Sequence, residues 1–174
     1  MQGFGRTSDI GGLAEAGWLD SNGMADKGRT TNQRKADVLA ALQKQADLWL
    51  ASADKSGRAH LIAISAWWDG RQIVVATTRG SRTARNLEST GAARLAAGAP
   101  DDVIVIDVTK AGTGKPVKSD PALADGFAEA VGWDPRDIGD DWSFLTLVPS
   151  RIQAYRGYDE VTGRDVMRDG RWLA

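Results

Sequence analysis

The chain has 174 residues, of which 42% are hydrophobic, so it is long enough for one domain with a buried core. It contains no cysteine and one histidine, which excludes disulfides, thiolate catalysis, iron–sulfur clusters and the common zinc sites. The net charge of −1 argues against a nucleic-acid partner, and no apolar stretch is long enough to cross a membrane. We therefore expect a cytoplasmic protein that needs a bound organic cofactor if it carries out redox chemistry.

The first part of the chain is rich in glycine and polar residues. Seven glycines fall within residues 1–33, and the apolar residues there show no sustained period. This composition predicts a flexible leader over residues 1–30 and a folded domain over residues 31–174.

In the first half of the predicted domain, the spacing of the apolar residues changes from that of a helix to that of β-strands. Thr31 or Asn32 caps a helix expected through about Gln45, with Val38 and Leu42 on its apolar stripe. Alternating apolar residues and turn signals such as Asp69-Gly70 then predict strands over residues 48–53, 58–68, 72–78, 92–97 and 103–109, with a short helix over residues 82–89.

The second half combines one helix with two further strands. A loop is predicted over residues 112–118, and Ser119 or Asp120 before Pro121 starts a helix that ends at Gly132. After an irregular connection, strands are predicted over residues 143–148 and 151–156, with Pro149 and Ser150 between them. Strands joined by tight turns must run antiparallel, so we predict a mainly β (α+β) fold: a split barrel of six or seven antiparallel strands with peripheral helices.

The most informative segment lies between the third strand and the helix that follows it. Gly80 permits a sharp turn, and the first amides of the helix have no backbone partners there. Hydroxyl groups surround this point, and Arg82 and Arg85 share one helical face. Free amides, hydroxyls and guanidinium groups together indicate an anion site, most naturally for a phosphate. The alternative is that Ser81 is an ordinary helix cap and the arginines are solvated.

Other chemical signals in the chain are weaker. Gly112-Thr113-Gly114-Lys115 resembles the end of a phosphate-binding P-loop, but Thr109 replaces the first glycine and Pro116 follows the lysine, so a surface loop is favoured. His60 has no nucleophile elbow to serve, which disfavours a hydrolase. Trp67 and Trp68 should point to opposite faces of their strand, either for packing or so that one ring covers a flat ligand or a subunit interface.

Several segments together resemble a known family. They are WLA at residues 49–51, GRAH at 57–60, WDG at 68–70, ATTRGSRTARNL at 76–87 and FLTLVPSRI at 144–152. In this order and spacing they resemble the pyridoxamine 5′-phosphate oxidase-like split barrels, a superfamily of flavin- and deazaflavin-dependent oxidoreductases. The resemblance extends from about Leu48 to Tyr155.

The resemblance implies a homodimer with the cofactor between two subunits. It places the phosphate side of the cofactor at Thr77, Thr78, Ser81, Arg82, Thr83 and Arg85, and the ring along Ala63, Ile64 and Ser65. The implied cofactor is the deazaflavin coenzyme F420 or FMN. F420 is favoured because its phosphodiester carries less charge than a terminal phosphate and this segment is less basic than a strict FMN site.

The implied activity is hydride transfer from the reduced cofactor to a small organic substrate. No catalytic side chain is identified, and Tyr155 is a candidate proton donor only through the resemblance. One alternative is an FMN-dependent enzyme similar to pyridoxamine-phosphate oxidase. The other is a non-catalytic carrier of flavin, deazaflavin or haem, in which His60 is the one histidine able to ligate the iron.

Overall fold

A computed structural model describes residues 28–44 and 46–174 of the chain. Nearly all of the predicted leader therefore lies outside the described residues, and its boundary at residue 30 stays a prediction. The helices are α1 (Thr31–Lys44), α2 (Arg82–Thr90) and α3 (Pro121–Val131), with short 3₁₀ turns at Val117–Ser119 and Pro135–Asp137. The strands are β1 (Asp47–Ala53), β2 (Ala59–Trp68), β3 (Ile73–Thr78), β4 (Ala92–Ala99), β5 (Asp102–Pro116), β6 (Trp142–Tyr155), β7 (Asp165–Arg168) and β8 (Arg171–Trp172).

The strands form one antiparallel sheet that closes on itself. Its order is β3-β2-β1-β4-β5-β6-β7-β8, and β3 also pairs with β6. The pairing of β3 with β6 closes six strands into a barrel, and β7 and β8 continue the sheet beyond it. The predicted split β-barrel with peripheral helices is thus confirmed. None of the described helices is long and apolar enough to cross a membrane.

The barrel interior forms the main hydrophobic core. Alternate residues of each strand point inward, among them Leu50, Ile73, Leu95 and Ile106, each of which is fully buried. Helix α1 adds Val38 and Leu42 to this cluster. A second cluster lies outside the barrel, where α3 packs on β3 and β6; its members include Val74, Ala76, Phe127 and Phe144.

Two strands, β5 and β6, are much longer than the sequence predicts. β5 continues through the predicted loop to Pro116, and β6 is continuous across Pro149. Pro149 pairs with Val108 at a register shift, where β6 carries an extra residue relative to β5. A proline removes a ladder hydrogen bond and is tolerated at such a bulge, so the sequence signal for a strand break marks a local irregularity instead.

Candidate functional site

The turn between β3 and α2 is held by two hydroxyl groups. Ser81 caps α2, and its Oγ accepts a hydrogen bond of 3.0 Å from the amide of Ala84. The same oxygen accepts a second hydrogen bond, also 3.0 Å, from Thr77 Oγ1. The interpretation of Ser81 as a helix cap is therefore correct. Its hydroxyl hydrogen has no partner among the described residues, so a role in anion binding stays a prediction.

A cleft of about 710 Å³ lies between α2 and the turn that joins β1 to β2. Its lining is strongly cationic: Lys55, Arg58, Arg82 and Arg85 contribute positive charge, against one carboxylate, Asp54. The remaining lining residues are Ser56, Ala59, Asn86 and Ser89. An open cleft with this charge balance attracts anions.

The four cations of this cleft differ in their partners. Arg58 Nε donates to Asp54 at 3.0 Å, and hydrogen bonds from Ser56 and Arg58 lower the pKa of Asp54 to about 2. Arg85 donates to the carbonyl of Gly80. Lys55 and Arg82 are exposed, and neither has a hydrogen-bond or ion-pair partner among the described residues. These two cations are therefore the ones best placed to bind an anion from solution.

Sequence reasoning predicted Arg82 and Arg85 but missed Lys55 and Arg58. The sequence predicts strands over residues 48–53 and 58–68, so it indicates no more than a turn at Asp54-Lys55-Ser56-Gly57. The available signal was the presence of two basic residues in and beside that turn, but the sequence does not show that the turn lies against α2. Asn86 makes this contact: its Nδ2 donates to Ser52 Oγ of β1 at 3.0 Å, and both residues are buried.

The predicted phosphate residues do not all face this cleft. Thr77 lines a separate cavity of about 310 Å³, together with Arg79, Ser143 and Leu145 among others. Thr83 is 2% exposed, and Thr78 is half-buried at the end of β3. The structure therefore brings Arg82 and Arg85 together in one cavity and places Thr77 in another. The role of these residues in binding a cofactor stays a prediction.

The predicted ring residues lie on β2, on two different faces. Ala59, Leu61, Ala63 and Ser65 alternate along the outer face of the barrel, whereas Ile64 points into the core and is 8% exposed. The side chain of Ile64 cannot reach the outer face, so only its backbone is available there.

An exposed apolar surface follows the outer face of β2. Leu61 is 62% exposed, and Trp49 of β1, which pairs with Ala63, is 55% exposed. Ala59 belongs to this face and also lines the cationic cleft. The cleft and the apolar surface therefore meet at Ala59, and the surface leads from there to Ser65.

Ser65 ends this apolar surface in a hydrogen-bonded triad with Asp47 and Trp133. Its Oγ donates to Asp47 Oδ1 at 2.8 Å and accepts from Trp133 Nε1 at 3.1 Å. The Trp133 ring packs edge-on against Phe127 and Trp142, with centroid distances of 5.7 and 5.4 Å. The position of this indole is thus fixed by its aromatic neighbours.

Trp67 and Trp68 lie on opposite faces of β2, as predicted. Trp68 is buried in the barrel core, and Trp67 packs outside it against α3, where a Cβ on Gly126 would lie 2.6 Å from the ring. Both rings therefore have a packing role, and covering a substrate stays a prediction.

The remaining candidates lie away from the cleft lining. His60 is half-buried on β2 and pairs with Ser52. Tyr155 ends β6, where the guanidinium of Arg164 lies 5.6 Å from the centre of its ring. Within residues 28–44 and 46–174, no three histidine or acidic side chains converge as metal ligands would.

A family model for pyridoxamine 5′-phosphate oxidase matches residues 35–154, which span the barrel from α1 to the end of β6. The chain belongs to this family. A search of curated protein sequences finds no match.

Several solved structures share this fold. An F420 reductase superposes with a TM-score of 0.55 at 16% sequence identity, over 65% of this chain and 93% of its own. An FMN-binding protein from Syntrophomonas wolfei has a TM-score of 0.56 at 14% identity, over 73% and 92%. HutZ, a haem storage protein from Vibrio cholerae, has a TM-score of 0.54 at 14% identity, over 79% and 99%. At these identities the likeness establishes the fold, which serves several cofactors.

Proposed function

We propose that the protein is an oxidoreductase that binds F420 or FMN and transfers a hydride between this cofactor and a small organic substrate. The observation that carries the proposal is the junction at Ala59. There a cationic cleft suited to a phosphate joins an apolar surface suited to a flat ring.

Part of this path suits a flavin-type cofactor. Ala63 lies four positions beyond Ala59 on the same face of β2, which is about 13 Å at the rise of an extended strand. A ribityl phosphate chain together with the ring that it carries extends over a comparable distance, so a phosphate in the cleft would leave the ring over Leu61 and Ala63. Arg82 and Arg85 are the proposed phosphate ligands, with Leu61 and Ala63 beneath the ring.

The charge of the cleft bears on the choice of cofactor. The preference for F420 rests on a phosphate segment with few cations, and Lys55 and Arg58 now add two to its surroundings. Charge therefore no longer disfavours FMN, whose terminal phosphate carries nearly two negative charges. The proposal covers both cofactors, and the titration described below separates them.

A second copy of the chain is proposed to cover the exposed apolar surface. Trp49, Leu61 and Ala63 are exposed neighbours on β1 and β2, and such a surface is costly to leave in water. A homodimer that packs on this surface would also shield the ring site from solvent. The expected result is a dimer in light scattering that Leu61→Asp converts to a monomer, and a wild-type monomer would contradict this part of the proposal.

When bound, the cofactor ring supplies or accepts the hydride. The residues of this chain have simpler tasks, which are to neutralise the phosphate, to support the ring and to exclude water from it. No side chain is assigned as a proton donor.

A carrier without catalytic activity is the second candidate. The likeness in fold to HutZ favours it, because HutZ is a haem storage protein. His60 is the only histidine in the chain and is half-buried. A Soret band after haem addition that disappears in His60→Ala would establish this function instead.

The decisive experiment is a side-by-side titration of the purified protein with FMN and with F420, followed by fluorescence. The proposal expects saturable binding of at least one of them. The tighter ligand identifies the cofactor, and failure to bind either at large excess would overturn the proposal.

A further inference from the structure

The second cavity, of about 310 Å³, lies where β3 ends and β6 begins, and helix α2 separates it from the cationic cleft. Arg82 and Arg85 of α2 line the cleft, whereas Ala84 and Glu88 of the same helix line the cavity. Ala84 and Glu88 are four residues apart and share one face of the helix, which differs from the face of Arg82 and Arg85. We call this second site the barrel-end cavity.

Ser143 contributes a buried hydroxyl group to the barrel-end cavity. The residue is 4% exposed, and its Oγ has no hydrogen-bond partner among the described residues. Thr77 pairs with Ser143 across β3 and β6, but the Thr77 hydroxyl donates its hydrogen to Ser81 instead. Buried hydroxyl groups are normally hydrogen-bonded, because an unpaired one has lost its interaction with water. The Ser143 hydroxyl can therefore exchange hydrogen bonds with a molecule in this cavity.

The rim of the cavity carries one cation, Arg79, that pairs with no carboxylate among the described residues. Arg79 is exposed, and its Nη2 donates to the backbone carbonyl of Asp140 at 3.2 Å. The carboxylate of Asp140 pairs with Lys118 instead, at 2.5 Å. Glu88, also on the rim, lies 3.2 Å from Lys110 Nζ, which balances its charge. The excess charge at the rim is thus the positive charge of Arg79, which favours an anion.

Part of the cavity wall is apolar. Leu145 and Ala84 are 2% and 4% exposed, and both belong to the barrel core. The volume of about 310 Å³ is at the lower end of the range for ligand sites, roughly 300–1,000 Å³. The cavity therefore offers a small ligand one buried hydroxyl group, a short apolar wall and one cation.

We propose that the barrel-end cavity is a binding site for a small organic acid that carries a hydroxyl or carbonyl group on an apolar body. Arg79 binds the carboxylate of this acid, and Ser143 hydrogen-bonds to its second polar group. Leu145 and Ala84 contact its apolar part. The site is separate from the proposed cofactor site, so the acid and the cofactor bind independently.

The test uses 4-hydroxybenzoate as a probe, with benzoate and 4-hydroxybenzamide as controls, and measures each affinity by NMR titration of the purified protein. Benzoate lacks the hydroxyl group, and 4-hydroxybenzamide lacks the charge. Loss of either interaction weakens binding by about tenfold, so the probe should bind about tenfold more tightly than each control. Equal affinities for the three compounds, or no binding of the probe at millimolar concentration, would overturn the proposal.

Variants assign the two polar interactions to their residues. Ser143→Ala should bring the affinity ratio of 4-hydroxybenzoate to benzoate close to one, and Arg79→Gln should do the same for 4-hydroxybenzoate and 4-hydroxybenzamide. Matched changes away from the cavity, Ser150→Ala on β6 and Arg71→Gln between β2 and β3, should keep both wild-type ratios. A ratio that Ser143→Ala or Arg79→Gln leaves unchanged would overturn the role of that residue.

Urea unfolding of the free protein gives a readout that does not depend on the probe. Ser143→Ala removes an unpaired buried hydroxyl group and should leave the urea midpoint unchanged or raise it. Ser52 is similarly buried, but its Oγ accepts from Asn86, so Ser52→Ala should lower the midpoint. An equal decrease in Ser143→Ala would show that its hydroxyl group already has a partner in the free protein, which would overturn the proposal.

Two further measurements separate the barrel-end cavity from the cationic cleft. Saturating FMN should not displace 4-hydroxybenzoate, and Arg82→Gln should leave the affinity for 4-hydroxybenzoate unchanged. Displacement by FMN, or weaker binding in Arg82→Gln, would place the probe in the cationic cleft and overturn this inference while the proposed function stands. Failure of both FMN and F420 to bind would overturn the proposed function alone.

Discussion

Two groups of basic residues in this protein are neutralised to very different degrees. Near the start of the described chain, two arginines, Arg29 and Arg156, meet three carboxylates, Asp37, Asp102 and Glu160. In the cleft beside α2, four cations share one carboxylate. We call the first group the closed network and the second the open cleft.

The closed network has the features of a structural element. Arg29 Nη2 lies 2.7 Å from Glu160, which is 4% exposed and also accepts from the amide of Arg156. Hydrogen bonds from Arg29 lower the pKa of Glu160 to about 2. This network ties the segment before α1 to the loop after β6, and it leaves little charge for a ligand.

The open cleft has the opposite character. Arg82 is exposed without a partner among the described residues, and Arg85 contacts a neutral carbonyl. Unpaired cations beside a cleft contribute little to folding and are available to an anion. The paired charges of the closed network therefore stabilise the fold, whereas the unpaired cations of the open cleft are available to bind a ligand. The following variants test this difference.

The largest expected effect is a loss of stability in Glu160→Ala. Removing this carboxylate leaves Arg29, whose side chain is 12% exposed, without its main partner, and should cost about 3–5 kcal/mol. Urea unfolding measures the change. A loss below about 1 kcal/mol would place the network among ordinary surface ion pairs.

Acid should destabilise the protein through the same carboxylate. The folded-state pKa of Glu160 is lowered from 4.5 to about 2, so its contribution is complete above the unfolded value and disappears as the pH falls from about 5 to 2. Protonation of Glu160 should lower the free energy of unfolding by an amount on the order of 3 kcal/mol. Urea midpoints measured across this range should decline steeply in the wild-type protein and less steeply in Glu160→Gln.

Asp165 should add to this acid sensitivity. Burial raises the pKa of this carboxyl, but hydrogen bonds from Arg168, Gln153 and Arg151 outweigh it and lower the pKa to about 2. Its contribution is likewise lost below its ordinary value of 3.8. Some acid sensitivity should therefore persist in Glu160→Gln.

Arg82→Ala should leave stability almost unchanged and weaken cofactor binding. Loss of a charge-assisted hydrogen bond to phosphate costs about 1.5–3 kcal/mol of binding free energy. Titration with the preferred cofactor, together with urea unfolding of the free protein, measures both quantities. An unchanged affinity would show that the phosphate does not bind in the open cleft.

The smallest expected effect concerns Gly28, beside the closed network. A Cβ at this position would lie 2.7 Å from Glu160 Cγ, and Glu160 is held by its hydrogen bonds. Gly28→Ala should therefore cost about 1 kcal/mol. Gly80→Ala, beside the open cleft, meets no atom within 4 Å and should not destabilise the protein, as thermal unfolding of both variants will show.

Much of the fold could be predicted from local sequence. Ser81 before α2, and Asp120-Pro121 before α3, are capping signals that act within one turn, and both helices begin there. The boundaries of β1 to β3 followed from alternation and from turns such as Asp69-Gly70. Pro149 led to a wrong prediction of a strand end within β6. Local sequence does not show that this proline pairs with Val108 at a bulge, which accommodates it.

The candidate site, like the fold, could be predicted from the sequence only in part. The sequence by itself determined that Arg82 and Arg85 share one face of a helix behind a capped turn, because helical spacing is a local property. Only the tertiary structure decided that this face meets Lys55 and Arg58, that Thr77 faces another cavity, and that Ser65 lies between Asp47 and Trp133. Those contacts join segments distant in sequence, and their geometry depends on the closure of the barrel.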